Sequence, residues 1–434
     1  MSMNMKSSSQ PGTTEDHKPP TGQRAETKAP VLLSAFPIQK LFPLPPLNVA
    51  IGQEWFETQG RSDNRISRTH LMFTRRGAAI YVQDLGSKNG TFVEGERLIK
   101  DQALQLDEGD VLRVGGTLFV LRLGYEGPME AQPPLGGLVG PWGLSALRNQ
   151  CAALENRKDL NILIHGETGT GKELLAQCLA YRLRPGKSYA PINMSTIEKD
   201  RFDGHVFGWR RGSFSGALQD HPGIILGNSK GTVFFDEIGE LALETQPKLL
   251  RLLENREVMP MGAMKPEGVD VLILAATNRP LQREDSTRPL KQDLLARFRV
   301  RLHIPPLRER PEDIFAILEA LWERERSGLP SLSSGQIRVD VEAIEQLMLD
   351  QLSDNVRLLS RLIQQVSAND FANQGLKLSL AEQVTGQRAR PPKLTMESVQ
   401  KALQDTQNNQ SAAAQKLGVD RGKLLRFLKA NSSK

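Results

Sequence analysis

Between residues 49 and 123, apolar and polar positions alternate in short runs cut by glycine-containing turns. Residues 79–82, 91–93, 111–114 and 117–121 read as strands, separated by Ser87-Lys88-Asn89-Gly90, Glu94-Gly95 and Gly115-Gly116. Many short strands at close spacing predict a β-sandwich or barrel. The pattern changes near residue 141. From there to about 305, apolar runs alternate with helix-forming stretches, which predicts a parallel sheet covered by helices. Its strand cores are 161–164, 232–235 and 271–275. Residues 311–378 follow a helical period and predict a small all-helical lid. Residues 409–417 and 420–428 predict two short helices around Gly418-Val419, capped at Asn409 or Ser411 and at Asp420. Leu417, Val419, Leu424 and Leu428 supply their apolar seam.

Composition sharpens the divisions. Residues 1–40 are polar and proline-spotted and read as a disordered segment. Then follow the sandwich (41–123), a Gly/Pro-rich linker (124–140), the α/β core (141–305), the lid (306–378), a second linker around Pro391-Pro392 (379–394) and a small all-α unit (395–434). The length of 434 residues suits about three domains. No apolar run approaches the roughly 20 residues that span a bilayer. The N-terminal stretch also lacks the apolar core of a signal peptide. Two cysteines, Cys151 and Cys178, fit a reducing cytosol and form no ligand cluster. A cytoplasmic protein without a membrane partner is expected. The net charge of +6 permits a nucleic-acid partner. Its placement says more: residues 411–434 hold six basic side chains and one acid.

The chemistry concentrates in Gly166-Glu167-Thr168-Gly169-Thr170-Gly171-Lys172, between the apolar run 160–164 and the helix-forming run 173–181. A glycine-rich loop between strand and helix turns its N–H groups inward around phosphates, and Lys172 meets the β- and γ-phosphates. The strict motif ends in Ser or Thr. Glu173 stands there instead and removes one Mg²⁺ ligand. Downstream, an aromatic-rich strand delivers Asp236 and Glu237. Asp236 is placed to hold Mg²⁺ through water, and Glu237 to polarise the attacking water. Without the loop, that pair would read as a solvated helix start. Asn278, after a third strand, can sense the γ-phosphate or simply end a strand. Arg297, Arg308, Arg310 and Arg357 lie outside the core strands, where each can meet phosphate or a surface carboxylate. Together these features predict an ATPase that uses ATP and Mg²⁺. Between the two motifs, residues 207–217 have neither helix nor strand period. They read as a mobile loop presenting Phe214, or as a turn whose Phe tucks into its own core.

These residues resemble the AAA+ domain of bacterial enhancer-binding proteins, the sigma-54-dependent transcription activators, over roughly 141–378. Matching runs are His165 through Glu173, Phe234 through Leu241, Ala275-Ala276-Thr277-Asn278-Arg279, Leu307 through Ile314 and Asn355-Val356-Arg357. In that family Glu follows the P-loop lysine, as Glu173 does. The resemblance implies that Asn193 links nucleotide state to Glu237. It makes Asn278 and Arg357 the two sensors and Arg297 an arginine finger acting on the next subunit of a ring. Lys291 stands where a second arginine is usual and keeps the charge without the planar fork. The loop Gly212-Ser213-Phe214-Ser215-Gly216-Ala217 is similar to the one that grips sigma-54, usually Gly-Ala-Phe-Thr-Gly-Ala. Upstream, Trp209 and Arg210 replace the usual His and acidic residue.

Two further resemblances frame the core. The tail is similar to a Fis-type helix-turn-helix, which implies dimeric reading of inverted repeats in upstream double-stranded DNA, with Arg421, Lys423 and Arg426 as contacts. Residues 49–123 resemble a forkhead-associated (FHA) domain, a sandwich that recognises phosphothreonine. The match rests on Ile51-Gly52, Ser67-Arg68-Thr69-His70, Asp84 through Thr91 and Gly109-Asp110. It implies a phosphopeptide site at Ser67, Arg68, Ser87, Lys88 and Asn89, with His70 bracing the loop. Gln53 replaces the usual arginine, a loss for which Arg61, Arg68 or Lys88 can compensate. The whole reads as an ATP-dependent activator that remodels sigma-54 RNA polymerase as a dimer-to-hexamer assembly. A different reading is a DNA-binding, phosphoprotein-recruited regulator whose ATPase opens no sigma-54 promoter. A metabolic P-loop kinase leaves the DNA module unexplained. No receiver-like acidic pocket precedes the core, so histidine-kinase control is not expected.

Overall fold

Two strands read as apolar on both faces because both faces are covered. In Val31–Phe36, Leu32 enters the sandwich core while Val31 and Leu33 pack on Trp142. In Thr117–Arg122, Phe119 and Leu121 face the sandwich core, and Leu118 and Val120 join the core of the helical lid. The first strand corrects the assignment of residues 1–40 to disorder. Residues 31–35 are buried, and Val31–Phe36 pairs with Thr117–Arg122 and Lys40–Pro43. Composition missed it because the strand is short and followed by prolines.

The computed structural model describes residues 29–155, 157, 160–279, 290–327, 339–369, 394, 396–406, 408–417, 419, 424, 425, 427 and 428. The sandwich has an antiparallel six-stranded sheet in the order Lys40–Pro43, Val31–Phe36, Thr117–Arg122, Val111–Val114, Thr91–Val93, Glu96–Arg97. A four-stranded sheet of Ala50–Ile51, Leu71–Arg76, Ala79–Asp84 and Ala103–Leu106 faces it. Phe42, Phe56 and Phe119 fill the space between them.

The second unit is a five-stranded parallel sheet ordered Tyr189–Asn193, Thr232–Asp236, Leu272–Thr277, Asn161–His165, Val300–His303. The three expected strands form its middle. The two edge strands carry little apolar signal: Tyr189–Asn193 contains Pro191, tolerated at an edge, and Val300–His303 alternates with Arg301 and His303. Phe234 packs on one face of the sheet, and Val233 and Phe235 on the other.

The lid consists of Ile314–Ser327, Val341–Leu349 and Val356–Asn369. Its core is continuous with the outer face of the six-stranded sheet. The stretch 124–140 is not a plain linker. Leu135 and Leu138 form a β-bridge, are buried, and belong to the core of the α/β unit. In the tail, Met396–Asp405 and Gln410–Lys416 pack through Val399, Ala402, Ala413 and Ala414 against Leu424. Asn409 caps the second, accepting N–H bonds from Ser411 and Ala412 at 3.1 Å. Arg421, Lys423, Arg426 and most of the 379–394 linker lie outside the described residues. Among the described residues, no helix is long and apolar enough to cross a membrane.

Candidate functional site

The loop after Asn161–His165 opens the helix Lys172–Leu183 at a switch point of the sheet, where strands on either side connect in opposite directions. Gly169 adopts φ +77°, and a Cβ there would meet the Asp354 carbonyl oxygen at 2.1 Å, so only glycine lets the lid approach. A cavity of about 430 Å³ lies between loop and lid. Thr168, Gly169, Thr170, Gly171, Lys172 and Glu173 line it with Asp236, Glu237 and Arg357. Gly137, Leu138, Val139, Ile317 and Leu321 supply apolar lining. Sequence reasoning missed that apolar wall. Its only signal was the pair of leucines inside a stretch read as linker.

Lys172 is nearly buried and folds over the loop. Its Nζ donates to the carbonyls of Gly166 (3.1 Å) and Glu167 (3.2 Å) and lies 4.0 Å from Glu237. Burial lowers its pKa, Glu237 and Asp236 oppose that, and Arg357 adds to it. Lys172 is thus held by backbone carbonyls of the loop and not by a full ion pair. Asp236 ends its strand, and its Oδ1 accepts the Glu237 N–H at 3.0 Å. Glu237 sits in the left-handed region at φ 52°, ψ 49°, a conformation that costs a non-glycine residue and clusters at functional sites. Burial raises its pKa; Lys172 opposes this, and Asp236 reinforces it. Asn278 reaches Thr168 Oγ1 at 3.2 Å, and its backbone N–H bonds to Glu237. The structure thus brings Lys172, Asp236, Glu237, Asn278 and Arg357 together.

Three expected residues stand elsewhere. The Glu167 carboxylate turns from the cavity to the lid. Arg308 binds it through two nitrogens at 2.5 and 2.7 Å, and Asn355 Nδ2 adds a bond at 3.3 Å. These partners, Arg308 first, hold its pKa low. Asn193 lies beside Asp236 in the sheet, but its Oδ1 is engaged by the Ser195 N–H and hydroxyl at 2.9 and 2.6 Å. Arg297 is half-exposed, paired with Glu254 at 2.6 Å, and does not line its own chain's cavity. Among the described residues, no three His, Cys, Asp or Glu side chains form a metal-binding cluster. Asp236 beside the glycine-rich loop fits Mg²⁺, which keeps most of its waters and takes one or two carboxylates plus phosphate oxygens.

The loop 212–217 joins Lys199–Phe207 to Gly223–Gly227. Gly212 N–H bonds to the Ala217 carbonyl at 2.9 Å, and the exposed Phe214 ring leans edge-on against Trp209 at 5.6 Å. Trp209 stacks on His221 at 4.3 Å. Arg210 pairs with Asp220 at 2.9 Å and with Glu267, tying the stem to the hairpin of Glu257–Val258 and Glu267–Gly268. Ser213 and Ser215 flank the aromatic tip.

In the sandwich, Ser67 Oγ accepts the Lys88 N–H at 3.0 Å, and Asn89 donates to the Arg65 carbonyl at 2.7 Å. His70 braces the loop. Its Nδ1 accepts the Ser67 N–H at 3.0 Å, which leaves Nε2 to donate to the Gly90 carbonyl at 3.3 Å, and burial lowers its pKa. Ser87 is removed from the surface set: it is buried, and its hydroxyl donates to Asp84 at 2.6 Å. Gln53 bonds to Glu57 at 2.8 Å, and Arg61 is committed to Thr117 and Asp63. Arg68 and Lys88 remain as exposed cations near Ser67.

Residues 143–303 match the Sigma-54 interaction domain, and residues 51–115 match the FHA domain. The chain is 33% identical over 296 residues to the response regulator protein PilR of Pseudomonas aeruginosa, covering 64% of this chain and 65% of that one. It is 36% identical over 213 residues to the DNA-binding transcriptional regulator NtrC of Bradyrhizobium sp., covering 48% and 43%. The chain therefore spans less than two thirds of the length of these curated relatives. Its fold is similar to that of NtrX from Brucella abortus in complex with ATP, with a TM-score of 0.50 and 23% identity over 68% of this chain and 69% of that one. The α/β unit thus carries a sigma-54 interaction domain, and the sandwich before it carries an FHA domain.

Proposed function

We propose that this chain hydrolyses ATP to ADP and phosphate and uses the energy to remodel sigma-54 RNA polymerase at promoters. The observation that carries the reading is the single cavity that gathers Lys172, Asp236, Glu237 and Arg357 under a lid. Lys172 and the loop amides hold the β- and γ-phosphates, and Glu237 orients the attacking water. Asn278 bridges the loop and Glu237 and registers the γ-phosphate. Asp236 holds Mg²⁺, which neutralises charge developing on the phosphates. Arg297, which does not line its own chain's cavity, serves the neighbouring subunit of a ring, and Asn193 must leave Ser195 to report to Glu237. The exposed Phe214 tip is the contact with sigma-54.

The tail holds the assembly on an inverted repeat upstream through Arg421, Lys423 and Arg426. The FHA face, with Ser67, Arg68, Lys88 and Asn89, takes a phosphothreonine protein and regulates the whole. The direct test is ATP hydrolysis by the purified chain. Wild type should turn over ATP, and Lys172→Ala should lose nucleotide binding. Equal turnover by Lys172→Ala would overturn the reading. A phosphothreonine peptide should bind more tightly than its unphosphorylated form, and Ser67→Ala should abolish the difference.

A further inference from the structure

The sandwich is welded to the lid by the outer face of its six-stranded sheet. Phe36 meets Phe315 edge-on at 4.7 Å, and Ala35, Val111, Leu118 and Val120 share one core with the lid helices. Arg122 bonds both oxygens of Glu312 at 2.6 and 2.7 Å, and Glu312 is only 2% exposed. Removing Arg122 would leave a buried carboxylate without its partner, the costly way to break an ion pair.

From this face a chain of polar contacts, buried or partly buried, runs to the cavity. Gln39 Oε1 accepts the Trp142 ring N–H at 2.9 Å. The backbone N–H groups of Trp142 and Gly143 donate to Asp313 at 3.0 to 3.2 Å. A Cβ on Gly143 would sit 2.3 Å from Arg310 Cβ, so the segment packs directly on that side chain. Arg310, 1% exposed, faces Asp313 at 3.5 Å and donates to the Val139 carbonyl at 3.1 Å. Arg310 and Val139 both line the cavity.

We propose that the docked sandwich is a structural part of the nucleotide site: through Gln39, Trp142, Asp313 and Arg310 it holds the wall at Val139 against which the base lies, so it supports ATP binding and does not restrain it. The inference rests on reading the cavity as the ATP site. Arg122, Gln39 and Trp142 are positioning residues, since none touches the cavity itself.

The test uses the full chain and ATP, with affinity from equilibrium binding and kcat and KM from steady-state hydrolysis. Arg122→Met and Trp142→Phe should each raise KM and Kd about tenfold while kcat stays within about twofold, because the wall shifts while the phosphate chemistry remains. The double variant Arg122→Met/Glu312→Gln, which removes both charges, should recover most of the affinity. Arg75→Ala, at an exposed position of the strand Leu71–Arg76 in the other sheet, should change nothing. A general loss of folded protein would instead lower kcat at constant KM and count against the proposal. Unchanged affinity in Arg122→Met and Trp142→Phe, or faster turnover in either, would overturn the inference and leave the ATPase reading standing. A wild type that neither binds nor hydrolyses ATP would remove both.

Discussion

Glu237 combines a left-handed backbone, a raised pKa and a contact with the Asn278 N–H. Residues held in that costly conformation cluster at functional sites, in keeping with the proposed role of Glu237 in orienting the attacking water. Glu237→Gln should keep ATP affinity and slow hydrolysis by about 10²- to 10⁴-fold, the usual contribution of a positioned base. Single-turnover kinetics with a separate binding measurement checks it; loss of binding in place of hydrolysis would contradict the assignment. A second titrating residue lies at the interface of sandwich and lid. Burial pushes the Glu345 carboxyl up from 4.5 to about 7, against the pull of Arg113 at 2.9 Å, with Glu342 and Glu94 adding to the rise. The folded state then keeps a proton that the unfolded chain releases near its ordinary value. The stabilisation is full below that value and is lost as pH rises through about 7. Wild type should melt at lower temperature at about pH 8 than at about pH 5.5, and Glu345→Gln should flatten the difference. A steeper slope in the variant would contradict this.

At the scale of elements, the loop 212–217 is held at its stem, and its Phe214 tip stays exposed against Trp209. Arg210, through Asp220 and Glu267, pins the stem to a neighbouring hairpin. Arg210→Ala should speed protease cleavage within 210–218 and leave ATP hydrolysis unchanged; an unchanged cleavage rate would mean that the pairs do not hold the stem. The tip was legible in the sequence because a lone Phe between glycines has no periodic core to join. The stem was not, because its restraints come from Asp220 and Glu267, and Glu267 lies more than fifty residues away. The same physics separates the central strands from the edges of the parallel sheet. Strands buried on both faces announce themselves as apolar runs, whereas Tyr189–Asn193 and Val300–His303 are half-covered and show no such run. Val31–Phe36 misleads in the opposite way: its apolar run is plain, but the flanking Pro30 and Pro37 and the polar stretch before it argued for disorder.

At the scale of the molecule, the phosphate loop and its carboxylates were visible from spacing alone. The wall opposite was not, because Leu138 and Val139 gain meaning only when the chain folds back over the loop. Nor did sequence reveal that the sandwich and lid share a core. That shared core makes sandwich mutations felt far away: Phe119→Ala, between Phe42 and Phe56, should cost about 3–5 kcal/mol and lower the first unfolding transition seen by calorimetry. No shift in that transition would contradict the packing described. In the proposed function, hydrolysis under the lid drives the Phe214 tip against sigma-54 polymerase. Its most direct test is promoter opening by the full chain with sigma-54 RNA polymerase and ATP, comparing wild type with Phe214→Ala. Wild type should open the promoter, and Phe214→Ala should hydrolyse ATP at the wild-type rate yet open none. Full opening by Phe214→Ala, or none by wild type while it turns over ATP, would contradict the account.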